Sequence, residues 1–201
     1  MAETSQAVAA LSRIFGRKAV LQPRDFMRAG LHPEQLRRLV QAGQIERVGR
    51  GRYILPGMDV PDDFGLALVA AAAPAAVVCL LTALRVHGIG TQAPREIWIA
   101  VDRRAAKPRI DYPPVRVVRF SGKALTFDIE TRDIGGIPVR IYSAAKTVAD
   151  CFKYRNKIGL DVALEALKEG LRLKRFSRDE LWAAAHVCRI SRVLRPYLEA
   201  L

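Results

Sequence analysis

The sequence predicts an α+β fold, and three observations carry that prediction. Apolar residues at helical spacing open the chain and give way, before residue 56, to two short alternating segments around a Gly-Arg-Gly turn. A β-rich middle follows, in which Gly135-Gly136 joins two alternating runs. Capped helical patterns then fill the C-terminal part. At 201 residues and 50% hydrophobic, the chain is long enough to bury a core in one large or two small domains.

The first helix is expected over about 5–15, where Ala7, Val8, Leu11, Ile14 and Phe15 recur at helical spacing and Gly16 closes it. "AVLQ" reads as a short extended stretch. Pro23 opens a second helix, "PRDFMRAG", with Phe26 and Met27 expected inward and Gly30 at its end. The third, "LHPEQLRRLVQAG", has Pro33 at its first position and Gly43 just past its end. Leu36, Leu39 and Val40 share its inner face, which aims Glu34, Arg38 and Gln41 outward, with Gln35 and Arg37 flanking. "QIERV" and "RYIL" then alternate around Gly49-Arg50-Gly51 as a hairpin.

Charge gives this segment its meaning. The chain carries 33 Lys+Arg against 20 Asp+Glu, a net +13, and ten of those cations but only four of the acids lie in residues 1–56. An excess of this size favours a polyanionic partner, because each phosphate neutralised releases a condensed counterion. Three helices and a hairpin within about 55 residues are the layout of a winged helix-turn-helix. In that fold the third helix enters the major groove and the wing meets the backbone or minor groove. The arginines of the wing, Arg47, Arg50 and Arg52, therefore belong on phosphates. Base-edge readout falls to Gln35, Arg38 and Gln41, since arginine can fork onto guanine and glutamine onto adenine.

"LPGMDVPDD" reads as a linker, dividing a DNA-binding domain over 1–57 from an α+β domain over 62–201. The apolar run 65–83 is interrupted by Pro74 and flanked by Asp62, Asp63 and Arg85, so two buried helices are expected there rather than a membrane span. "REIWIAV", "VRVVRF", "TFDIETRD" and "IPVRIY" read as strands of a small, mainly antiparallel sheet. C-terminal helices follow, one capped by Ser143 and one by the Ser177/Glu180 capping box. Cys79, Cys151 and Cys188 are far apart in apolar patterns and fit buried free thiols; no spacing calls for a metal or cofactor.

"GRGRYILPG", "LLTALRVHGIG", "REIWIAV" and "YSAAKTVADCFKYRNKIGLDVALEALKEGL", in that order, resemble the AbiEi family of antitoxins of bacterial type IV toxin-antitoxin systems. The resemblance runs from about residue 15 to the C-terminus. It implies a winged helix that binds inverted repeats in the operon's own promoter, as a cooperative dimer on DNA. It further implies a C-terminal antitoxin domain that counteracts a nucleotidyltransferase toxin, with or without stable direct contact. The setting implied is the bacterial cytoplasm, with no membrane partner.

His87 reads as a structural residue at the end of its helix, before Gly88, with a ligand or acid–base role as the alternative. Lys146 and Asp150 are four apart and are expected to pair on a helix surface. Lys153, Arg155 and Lys157 read as a solvated charge run, or alternatively as a second basic patch. A nuclease would draw on Asp102, Asp111, Asp128, Glu130 and Asp133 with Lys107, yet no acid-x-lysine pair falls on one strand. The expectation is a non-enzymatic regulator. The alternatives are a solitary winged-helix regulator, or a basic winged-helix module attached to a domain that acts on nucleotides.

Overall fold

The computed structural model describes residues 15, 20–49, 51–56 and 63–201. The chain is α+β and divides into two compact units: 1–74 with 108–113 and 133–139, and 75–107 with 114–132 and 140–201.

In the first unit Phe15 is helical, and the rest of the expected first helix lies outside the described residues. Two helices follow, α1 (Pro23–Arg28) and α2 (Pro33–Gln41), then a two-stranded antiparallel sheet, β1 (Glu46–Gly49) and β2 (Arg52–Ile54). Leu21 adds an antiparallel bridge to Tyr53, with N–H to O distances of 2.9 and 3.0 Å in the two directions. The extended stretch before α1 thus becomes a third member of the wing sheet, which fixes the hairpin against the helices. Phe15, Leu21, Phe26, Leu31, Leu36, Leu39 and Ile45 form the core. The Phe26 ring stands edge-on to Phe15 and Tyr53 at 6.2 and 5.4 Å. Each such side chain contributes on the order of 1.5–3 kcal/mol on burial.

Met27 does not join this core; it is 53% exposed. With only six residues, α1 offers one narrow inner stripe, and the ~100° step from Phe26 carries Met27 into solvent. The unit also takes in α3 (Phe64–Ala72), whose Ala67 and Leu68 pack with Val20 and Ile54. Burial against Val20 and Ile54 thus anchors α3 within the first unit.

The second unit is built on a five-stranded sheet of order β5-β4-β3-β7-β6: β3 (Val77–Val78), β4 (Ile97–Asp102), β5 (Val115–Phe120), β6 (Ile129–Ile134) and β7 (Ile137–Tyr142), with the tip of the last hairpin counted in the first unit. The sheet is mixed, not mainly antiparallel. β4 runs parallel to β5 and β3 parallel to β7, while β3 and β4 are antiparallel. Turn signals in a sequence report only on hairpins, and a parallel pair is joined by a long crossover that leaves none. The central β3 goes unseen for the same reason: it is two residues long and buried on both faces.

Seven helices complete the unit: α4 (Leu80–His87), α5 (Lys123–Thr126), α6 (Ala144–Lys153), α7 (Arg155–Ile158), α8 (Leu160–Arg172), α9 (Arg178–Cys188) and α10 (Ser191–Glu199). The expected caps form: Ser143 Oγ accepts from Lys146 N at 3.1 Å. Ser177 Oγ accepts from Glu180 N, while the Glu180 carboxylate accepts from Ser177 N at 2.7 Å. The apolar run 65–83 is not two helices alone: it falls on α3, the strand β3 and the start of α4, and no described helix is long and apolar enough to cross a membrane.

Candidate nucleic-acid interface

The exposed face of α2 is set by how the helix begins and ends. Pro33 takes the first position, where its missing N–H costs nothing, and Gln35 Oε1 accepts from His32 N at 2.9 Å. At the far end Gly43 adopts φ +66°, and Gln44 N donates to Leu39 O at 3.0 Å. This Schellman closure needs a residue without a Cβ penalty. Leu36 and Leu39 hold the inner face in the core, and Val40 is half-buried against it. Glu34, Arg37, Arg38 and Gln41 are left exposed, as their spacing predicts.

The structure brings Glu34, Arg37 and Arg38 together. Glu34 Oε1 lies 3.1 Å from Arg37 Nη2 and 3.8 Å from Arg38 Nε. One carboxylate therefore orients two guanidinium groups on the solvent side of the helix, through surface pairs worth about 0.2–1 kcal/mol each. Gln35 is half-buried and its carbonyl oxygen is committed to the helix start.

The two described wing arginines differ in exposure. Arg47 is exposed on β1, with Nε donating to Gly49 O at 3.3 Å. Arg52 is half-buried on β2, and burial pulls its pKa below the ordinary arginine value. Arg50 lies outside the described residues. Next to it Gly51 turns with φ +66°, and a Cβ there would stand 3.6 Å from Pro23 Cδ.

Residues 10–56 match the family described as transcriptional regulator, AbiEi antitoxin. Over these residues, and no others, the chain is similar to that family. That stretch takes in α1, α2 and the wing, so the AbiEi segment and the exposed arginine face coincide. No curated protein matches the chain. AbiEi proteins of this description are regulators rather than an enzyme family.

In the second unit, the residues singled out from the sequence have defined structural duties. His87 does not cap its own helix; Gly88 and Ile89 close α4, with Ile89 N on Leu84 O at 3.0 Å. Its ring instead crosses to β7, with Nε2 2.8 Å from Tyr142 O and Nδ1 3.2 Å from Arg132 Nη2. Arginine can only donate, so Nδ1 accepts and Nε2–H donates to the carbonyl. Burial lowers the His87 pKa, outweighing the Tyr142 carbonyl that raises it. Of the second patch, Lys153 and Lys157 are exposed while Arg155 Nη1 turns back onto Phe152 O at 2.8 Å.

Lys146 and Asp150 do not pair on a surface. Both are fully buried, and the Lys146 ammonium also lies over the rings of Tyr142 and Phe120, at 4.2 and 4.9 Å. Cys188 Sγ donates to the other Asp150 oxygen at 3.2 Å. Desolvation raises the Asp150 carboxyl pKa against the pull of Lys146. The signal for this burial was present: every residue of α6 from Ala144 to Phe152 is buried, and its polar residues are flanked by alanine, valine and phenylalanine on all sides.

Four of the five acids weighed for a nuclease make local contacts. Asp102 Oδ1 accepts from Arg104 N at 2.7 Å at the strand end, and Asp133 Oδ1 from Gly136 N at 2.9 Å in the hairpin turn. Asp128 accepts from Ser143 Oγ, and Glu130 pairs with Arg132 at 3.9 Å. Asp111 and Lys107 are exposed. Among the described residues, no group of three or more His, Cys, Asp or Glu is placed to hold a metal ion.

Proposed function

We propose that this chain is a DNA-binding antitoxin and transcriptional autorepressor of a type IV toxin-antitoxin operon, without catalytic activity of its own. Residues 1–57 bind inverted repeats in the operon's promoter, as a cooperative dimer. Residues 62–201 carry the antitoxin function against a nucleotidyltransferase toxin in the bacterial cytoplasm, without stable contact with it. The observation that supports this most is the outward Arg37/Arg38 face of α2 inside the segment matching AbiEi regulators.

In this reading α2 enters the major groove. Arg38 and Gln41 read base edges, Gln35 contributes through its amide N–H groups, and Glu34 and Arg37 border the contact. Arg47, Arg50 and Arg52 reach phosphates or the minor groove, and Lys153, Arg155 and Lys157 form a second basic patch. The salt dependence of a gel shift on the upstream promoter fragment tests this. Arg38→Ala should cost about 1–3 kcal/mol of specific affinity, and Arg50→Ala should flatten the salt slope by roughly 0.9. Equal affinity for promoter and unrelated duplex would overturn the repressor assignment. Promoter binding without protection against a co-expressed toxin would leave a solitary regulator.

A further inference from the structure

The second unit contains a cavity of about 610 Å3 that shares only Lys153 with the residues of the proposed function; Ser121, Lys123, Lys153, His186, Val187 and Arg189 line it, with Gly122 and Ala124. Its size falls in the range of small-molecule sites. Its charge is one-sided: Lys123, Lys153 and Arg189 are exposed, none has a hydrogen-bonded or ion-paired acid among the described residues, and no carboxylate lines the cavity. The nearest acid along the chain, Asp150, three residues before Lys153, is fully buried and paired with Lys146 and does not line the cavity.

The cations stand on rigid supports. Lys153 ends α6, the helix buried from Ala144 to Phe152. Arg189 closes α9 in the left-handed region at φ +58°, held by Ile190 N on Ala185 O at 2.9 Å. A position that favours glycine here carries a cationic side chain at the cavity rim. Three like charges around one concavity repel each other unless an anion joins them.

We infer that this cavity binds the polyphosphate group of a nucleotide-sized ligand. Lys123, Lys153 and Arg189 take the phosphates, Ser121 supplies a hydroxyl, and Ala124 and Val187 leave room for sugar and base. Lysine is a point-charge phosphate binder and arginine a forked one, so the three together suit a di- or triphosphate better than a single phosphate. The site is concave, which favours a compact ligand over the convex backbone of a duplex.

The test is titration of the full chain with a ribose-labelled fluorescent ATP, read by anisotropy. ATP should displace the probe and adenosine should not; displacement by inorganic triphosphate as well would assign the site to the polyphosphate alone, and displacement by ATP only to the whole nucleotide. Lys153→Gln and Arg189→Asn should each weaken binding by about tenfold or more, asparagine being chosen because it tolerates left-handed backbone. Arg104→Gln, exposed and away from the cavity lining, should bind as the wild type does. Lys123→Gln repeats the test should either first variant lose its circular-dichroism spectrum. Absence of saturable binding, wild-type affinity in the folded variants, or equal displacement by adenosine would overturn the inference. So would loss of promoter affinity in Arg189→Asn, a residue outside the second basic patch, which would assign the cavity's cations to the duplex. Unchanged promoter affinity with lost ATP binding separates this site from the winged helix.

Discussion

The Lys146 ammonium and the Asp150 carboxylate face each other inside the core, one turn apart on α6, with side chains 0% and 1% exposed. The pair is completed by the Cys188 thiol and by two aromatic rings over the ammonium. Removing one partner strands the other charge, whereas replacing both removes the desolvation cost. Asp150→Ala should therefore destabilise the chain by about 3–5 kcal/mol, while Lys146→Met with Asp150→Leu should be neutral or stabilising by about 1–4 kcal/mol. Urea denaturation of the two variants decides it; equal losses in both would show the pair to be a net stabiliser.

Stability should fall on mild acidification through His87. Burial holds its folded pKa below the unfolded value of about 6.5, so below that pH the unfolded chain takes up a proton that the folded chain refuses. The contribution is present above the unfolded pKa and is lost as pH falls towards the folded one. Glu130, Arg132 and Arg175 set the local field. Urea midpoints at about pH 7.5, 6.5 and 5.5 should decline in the wild type and decline less in His87→Gln.

The three cysteines should be silent in the folded protein. All are buried and free, burial pushes the Cys188 thiol up to about 12, and the Cys79 and Cys151 thiols rise as well. A thiol-reactive dye at pH 8 should label none of them natively and all three in guanidinium chloride. Fast native labelling of Cys188 would mean that α9 leaves the core.

Gly170, in the last turn of α8, is a close-approach site. A Cβ there would lie inside the van der Waals envelope of the Phe176 ring, itself buried. Gly170→Ala should cost about 1–3 kcal/mol despite alanine's better helix propensity, and Phe176→Leu in the same chain should recover part of it. Thermal unfolding of the single and double variants measures both.

Glu34 restrains two arginines on the candidate groove face. Glu34→Gln should tighten binding to any duplex at low salt by removing a negative charge from the interface. Folding stability should move by less than about 0.5 kcal/mol, because both ion pairs are solvent-exposed. Weaker promoter binding in this variant would show that Glu34 contacts a base directly.

The sequence by itself determined the local structure and the character of the first quarter. Pro33 and Gly43 bound α2, the spacing of Leu36 and Leu39 selects its inner face, and Ser143 and Ser177 start their helices where expected. These are contacts within a few residues, so chain order alone specifies them. Tertiary structure decided what depends on distant neighbours: the bridge of Leu21 to Tyr53, the parallel pairing around β3, the exposure of Met27, and the half-burial of Arg52. It also turned Lys146 and Asp150 from a surface pair into a core one and gathered Lys123, Lys153 and Arg189 around one cavity. The reason is physical: a residue's periodicity says which way it points, but its dielectric surroundings and its partners are set by whatever folds back against it.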